Sequence, residues 1–264
     1  RPTCTDLVTD FLIWIMKAAV ITPYHKEDIS VLRRCHLSVL DQEVSCRHFM
    51  VADGFHNDTV SNWDCEHIIL SKAHADNGNT PRTVGSISAI NSGFEMILFL
   101  DVDNWFSPQH ISEALLLKAQ KPEIDIAILG RHIILPDGTM VEGDTEDSTR
   151  SHVDTSCYCF FESAFGLIPV WGMMQPFLGP INDRIMFFAI KQRNYKLAWS
   201  NKKTCYFTSN YRCHYLLAGR RAPSTTNDPV MAEIVSSFNK NRAHFQARTG
   251  LAFNFNYQQK GTGS

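Results

Sequence analysis

Hydrophobic positions along the chain fall into short unbroken runs separated by stretches of helical spacing. The runs are Ala18–Thr22, His48–Ala52, His67–Leu70, Met96–Leu100 and Asp125–Gly130. Each has the length of a strand and is apolar on both faces, as a strand buried on both sides must be. Between the first two runs, Ile29, Leu32, His36, Val39 and Leu40 share one helical face, with Asp28 as the expected N-cap. The stretch "NTPRTVGSISAINSG" predicts a second helix. There Thr80 would cap, Pro81 would occupy the first turn where its missing N–H is harmless, and Val84, Ile87 and Ile90 would form the buried stripe before Gly93 stops the helix. A third helix is expected from Ser107-Pro108 to about Gln120.

After Arg131 the pattern changes. "IILPDGTMVEG" predicts a hairpin turning at Asp137-Gly138, and "EGDTEDSTRSH" reads as a polar loop. A helix opens in "GPINDRIMFFAIKQ", a strand follows near "KLAWS", and a late helix runs from Asn227-Asp228-Pro229 to about Arg248. Strands alternating with helices predict an α/β fold, its mostly parallel sheet covered on both faces. A single domain is expected over 1–264, with 258–264 as a disordered tail.

Composition narrows the classes. The 264 residues are 44% hydrophobic with 17 Phe and 5 Trp, enough to fill the core of a soluble globular domain. A formal net charge of -2 gives no bulk attraction to nucleic acid or to an anionic membrane. Among the eight cysteines there is no C-x-x-C pair, so reduced thiols in a cytoplasmic chain are expected. The apolar run Phe11–Met16 is far shorter than the roughly 20 residues that span a bilayer, and it lacks signal-peptide flanks. Peripheral association with a membrane stays open.

In an open parallel sheet, ligands bind beyond the carboxyl ends of the strands. Four successive ends here carry polar groups, in "ITPYHKED", "VADG", "SKAHADNGNTPR" and "DVDN". In the last, Asp101 and Asp103 stand two apart on an extended segment and so share a side. Two carboxylates held together repel unless a cation neutralises them, and Mg²⁺ or Mn²⁺ binds through such oxygens together with substrate phosphates. The alternative is a pair of solvated carboxylates, one of them capping the turn at Ser107-Pro108.

The ordered set from "ITPYHKED" through "VADG" to "DNGNTPRTVGSISAINSGFEMILFLDVDN" resembles the nucleotide-sugar-binding half of a family-2-type glycosyltransferase of the GT-A fold. The match is good over about 18–110 and looser beyond, which makes 18–110 the donor half and 111–250 the acceptor and catalytic half of a Rossmann-like three-layer domain. The resemblance implies that Pro23 and Tyr24 pack on the base, Asp53 bonds base or ribose, and Arg82 faces base and diphosphate. It further implies that Asp101 contacts ribose or sugar while Asp103 holds a Mn²⁺ or Mg²⁺ bridging the diphosphate, with His214 as a second ligand and Arg220 on phosphate. Asp183, at the start of a helix, matches the position of the acidic general base. The residue before it is Asn182 rather than the usual acid, and a helix-capping role is the alternative. His152 and Asp154 are placed on the acceptor side, orienting acceptor or donor sugar, with a structural Asp-Thr turn as the other reading.

The resemblance implies a metal-dependent, inverting transfer of a sugar from a nucleoside-diphosphate donor to a hydroxyl of a saccharide, lipid-linked or other acceptor, although spacing alone does not fix the stereochemistry. A uridine diphosphate donor is favoured because the family most often uses one. Two other classes remain: a nucleotidyltransferase, which the glycine-free "TPYHKED" disfavours, and a nucleotide-sugar-binding module without catalysis.

Overall fold

The computed structural model describes residues 16–143, 150 and 152–254. Most of the apolar run before Met16, most of the polar segment 142–152 and the tail 258–264 lie outside the described residues. The first half alternates as the hydrophobic pattern predicts: β1 (Ala18–Tyr24), α1 (Ile29–Leu40), β2 (Cys46–Asp53), β3 (Glu66–Leu70), α2 (Asn79–Asn91) and β4 (Met96–Phe99). Then come β5 (Trp105–Phe106), α3 (His110–Gln120), β6 (Ile126–Ile134), β7 (Met140–Val141) and β8 (Tyr158–Phe161). The chain continues through α4 (Pro169–Met173), α5 (Asn182–Gln192), β9 (Leu197–Thr208), α6 (Arg212–Leu217) and α7 (Met231–Thr249).

The strands form one sheet in the order β3-β2-β1-β4-β8-β6-β9-β5, with β7 added to β6 as the expected hairpin. Pairing directions put β1 to β4, β6 and β9 one way and β5, β7 and β8 the other. The mostly parallel α/β expectation holds. Strand β8 escaped the pattern reading because Tyr158–Phe161 is four fully buried residues with no alternation, wedged antiparallel between β4 and β6.

Period-two alternation sends each strand's side chains to two cores. Ala19, Ile21, Phe49, Val51, Ile97 and Phe99 meet α2, α4, α5 and α7 on one face. Ala18, Val20, Met50, Ala52, Met96 and Leu98 meet α1 and α3 on the other. The result is three layers, and parallel strands β1, β2 and β4 deliver their carboxyl ends to one edge.

Two helix details differ from expectation. Asp28 offers α1 only its backbone carbonyl, which accepts from Val31 and Leu32, and no side-chain cap. Helix α2 is capped by Asp76, not by Thr80: the Asp76 carboxylate accepts the Thr80 N–H at 2.9 Å and its hydroxyl at 2.6 Å. Its buried face is also not the Val84–Ile87–Ile90 stripe, since Ile87 is exposed and the packed positions are Pro81, Arg82, Gly85, Ser86 and Ala89. Small residues win because the helix lies close on the sheet. A Cβ at Gly85 would stand 2.8 Å from Cγ2 of both Ile21 and Val51. Replacing Gly85 by Val should therefore cost about 1–3 kcal/mol of stability through overpacking, read as a lowered urea midpoint at unchanged slope.

Candidate functional site

The carboxyl ends of β1, β2 and β4 open into a cavity of about 1120 Å³. Pro23, Tyr24, Asp53, Asp101 and Asp103 line it from the first half of the chain, and His152, Asp154, Asp183 and His214 from the second. Nine of the eleven residues singled out from sequence thus converge on one space. Arg82 and Arg220 do not line it.

On the donor side, Tyr24 is only 3% exposed. Its hydroxyl accepts the Asn57 N–H at 3.1 Å and shares a 2.6 Å hydrogen bond with His67 Nε2, whose ring stacks beside it. The ring is a fixed part of the cavity wall, with His67 stacked beside it. Asp53 accepts the backbone N–H of His74 at 3.0 Å and engages its ring nitrogen Nδ1 at 2.7 Å.

Arg82 is 1% exposed and lies beneath the cavity floor. Its guanidinium donates to Asp101 Oδ1 at 2.6 Å and sits 5.0 Å from the Trp171 ring centre. Instead of lining the cavity, the guanidinium makes a partly buried ion pair with Asp101, because helical spacing points position 82 at the sheet. Arg220 pairs with Asp137 and Thr139 on the β6–β7 hairpin.

Asp101 and Asp103 flank a tight turn closed by Asn104 N–H on the Asp101 carbonyl at 2.9 Å. The turn is tied to the segment before β8: Ser156 Oγ lies 3.2 Å from the Asp101 N–H and 3.0 Å from Asn104 Nδ2. Asp103 reaches the solvent of the cavity, yet burial within its walls, then Asp101, then Asp154, push its pKa up to about 7. Asp154 accepts the Ser156 N–H at 2.9 Å, which is the structural Asp-Thr turn, and also Arg131 Nη1 at 3.2 Å. Burial raises its pKa against the opposing pull of Arg131, with Asp101 and Asp183 adding to the rise.

Asp183 sits in the first turn of α5, where the helix dipole favours a carboxylate, but it makes no side-chain cap. Its Oδ2 pairs with His152 Nε2 at 2.5 Å and its Oδ1 accepts the Arg184 N–H at 2.7 Å. Burial alone would raise Asp183, but the His152 ring and then Arg184 outweigh it and hold the carboxyl below its ordinary value. The same pair works in reverse on His152, where Asp183 overcomes burial and raises the imidazole. Asn182 is spent on structure, donating to Asn79 Oδ1 at 2.7 Å.

Oxygen donors at Asp101 and Asp103, the latter with its proton affinity raised by burial and then by Asp101, are the chemistry that Mg²⁺ or Mn²⁺ accepts. Among the described residues no group of three or more His, Cys, Asp or Glu side chains could hold a metal ion. A cation here needs further oxygens from the bound substrate. His214, expected as a second ligand, is buried in the cavity wall with Nδ1 2.5 Å from Ser209 Oγ, and it joins no such group.

Several site residues have no signature in the sequence. Arg131 stacks 4.7 Å from the Phe207 ring while pairing with Asp154. Tyr211 faces the cavity, its pKa raised to about 12 by burial and then by Asp183 and Asp154. Asn104 had a weak signal, since it directly follows the D-x-D pair.

No protein-family model matches the chain, and no curated protein matches it. Its fold does match solved structures of S. aureus TarS, a family-2 glycosyltransferase. The structure of TarS residues 1–349 superposes with a TM-score of 0.58 at 14% identity, covering 88% of this chain and 73% of that one. The same fragment in complex with UDP-GlcNAc gives 0.53 at 12% identity over 88% and 74%. The chain spans 42% of a longer TarS structure.

Metal-free chain offers a direct check on the carboxylate cluster. Because the folded state raises Asp103 above its unfolded value of about 4, the folded chain holds the proton more tightly, and stability falls as pH rises towards and through about 7. Asp103→Asn removes that loss. In EDTA its stability relative to wild type should be more favourable at about pH 8 than at about pH 5, as read from urea midpoints. At the identities found, the likeness to solved structures establishes architecture, and over 88% of its length the chain has the GT-A fold of these family-2 glycosyltransferases.

Proposed function

We propose that the chain is a metal-dependent, inverting glycosyltransferase that moves a sugar from a nucleoside-diphosphate sugar to a hydroxyl of a saccharide or lipid-linked acceptor. The observation that carries this reading is the single cavity uniting Asp53, Asp101 and Asp103 at the strand ends with the His152–Asp183 pair from the second half. A UDP-sugar donor is favoured, and the TarS fold neighbours solved with UDP and with UDP-GlcNAc support that choice.

Asp53 accepts from base or ribose, and Asp101, held by Arg82, accepts from ribose or sugar hydroxyls. Asp103 is the residue that would hold Mn²⁺ or Mg²⁺, with Asp101 beside it. A bound cation would neutralise the negative charge that develops on the departing diphosphate. Asp183, kept ionised across neutral pH by His152, accepts the proton of the acceptor hydroxyl as that oxygen attacks the anomeric carbon. The bond from that carbon to the diphosphate oxygen breaks, and its electron pair leaves with the diphosphate. His152 acts through Asp183, fixing the carboxylate's direction.

Two measurements test this. Thermal shifts with UDP and UDP-GlcNAc, each with and without Mn²⁺, report donor binding through its linkage to stability. Asp183→Asn should then lower transfer, or donor hydrolysis where no acceptor is known, by on the order of 10²–10⁴-fold while the UDP-GlcNAc shift is retained. Unchanged turnover would remove Asp183 from the mechanism, and donor binding without any turnover in wild type would make the chain a binding module.

A further inference from the structure

We infer that Arg34 and Thr208 form a positioning clamp on the backbone carbonyl of Asp103, aiming its carboxylate into the donor cavity. The inference rests on the nucleotide-sugar reading of the site. Arg34 Nη2 donates to the Asp103 carbonyl oxygen at 2.7 Å, and Thr208 Oγ1 donates to the same oxygen at 2.6 Å. A carbonyl has two lone pairs, so these donors take up both and fix the plane of the peptide.

Every other part of the turn is already tethered. The Asp101 carboxylate is held by Arg82, and Asn104 Oδ1 accepts the Thr208 N–H at 2.9 Å. The Asp103 carboxylate is the exception: among the described residues no side chain donates to it. Its direction is therefore set through its backbone. Arg34 reaches the carbonyl from α1, in the layer opposite α5, and lies 4.3 Å from the centre of the Trp105 ring. Trp105 stacks on Tyr206, and Tyr206 on His132, each at 5.1 Å. The planar guanidinium suits this place, since it can lie on an indole face while one N–H reaches the carbonyl.

The bland account makes Arg34 a surface side chain covering Trp105. The two accounts predict opposite signs. A cation that only sits near the metal position repels Mn²⁺, so removing it would tighten metal binding. Removing a positioning clamp loosens it.

The experiment titrates Mn²⁺ against the UDP-induced thermal shift of the full chain, comparing wild type with Arg34→Ala, Arg34→Lys and Thr208→Val. Arg33→Ala, a neighbouring exposed arginine outside the site, serves as control. Arg34→Ala and Thr208→Val should each require roughly tenfold more Mn²⁺ for the half-maximal shift, as expected for a lost hydrogen bond from a charged or well-placed donor. Their shifts with UDP in EDTA should match wild type, and Arg34→Lys should recover part of the loss. Thr208→Val keeps the backbone N–H that binds Asn104, so it tests the clamp even if Arg34→Ala fails to fold. Unchanged or tighter Mn²⁺ response in Arg34→Ala or Thr208→Val overturns the clamp alone. A wild-type UDP shift without any Mn²⁺ dependence overturns the metal role of Asp103 and the clamp with it, whereas a wild-type chain with no UDP shift at all overturns the nucleotide-sugar reading.

Discussion

The site gathers like charges where the fold leaves them little water, and the rest of the cavity is organised around that repulsion. Asp53, Asp101, Asp154 and Asp183 each have a dedicated basic partner: His74, Arg82, Arg131 and His152 respectively. Burying a carboxylate without such a partner costs several kcal/mol, so these four pairs are a condition for closing the cavity walls. Of the five aspartates named from sequence, Asp103 is the one without a basic partner among the described residues. The residual field is felt across the cavity, where the same carboxylates help burial push the Tyr211 hydroxyl to about 12.

Holding the pairs in place is a matter of layers. Arg82 can reach Asp101 only because α2 lies close on the sheet, which Gly85 permits. Arg131 and Asp154 come together because β8 runs antiparallel between β4 and β6, which brings the segment before it back over the end of β4. Ser156 then joins that segment to the Asp101 turn through Asp101 N–H and Asn104. Each half supplies two complete pairs, His74–Asp53 and Arg82–Asp101 from the first and Arg131–Asp154 and His152–Asp183 from the second.

The strands were legible in the sequence because burial on both faces leaves unbroken apolar runs; Asp101 and Asp103 were legible as two neighbouring carboxylates, but a turn closed by the Asn104 N–H, not the expected extended segment, carries them. The convergence of the second half was legible only through the resemblance. Partner choices were not legible at all. Arg82 and Asp101 are far apart in the chain, and nothing local says that position 82 turns under the floor instead of into the cavity. The Arg220–Asp137 pair was hidden for the same reason, since Asp137 lies on a hairpin whose approach depends on tertiary packing. Thr80 looked like a cap by residue type, yet Asp76 has the longer reach and a charge suited to the helix N-terminus.

Two carboxylates in one cavity are pushed in opposite directions, Asp103 upward and Asp183 downward. Environments that separate the proton affinities of chemically identical groups assign them different work. Asp183 shares its charge with an imidazole and a helix N-terminus, so its ionised form is stable without any ligand. Asp103 faces other carboxylates, so its ionised form becomes comfortable only when something positive arrives. The first is suited to waiting for a proton and the second to waiting for a cation. A fold that neutralised Asp103 with an arginine of its own would relieve this repulsion, but it would leave no uncompensated carboxylate there for the cation that the proposed function needs.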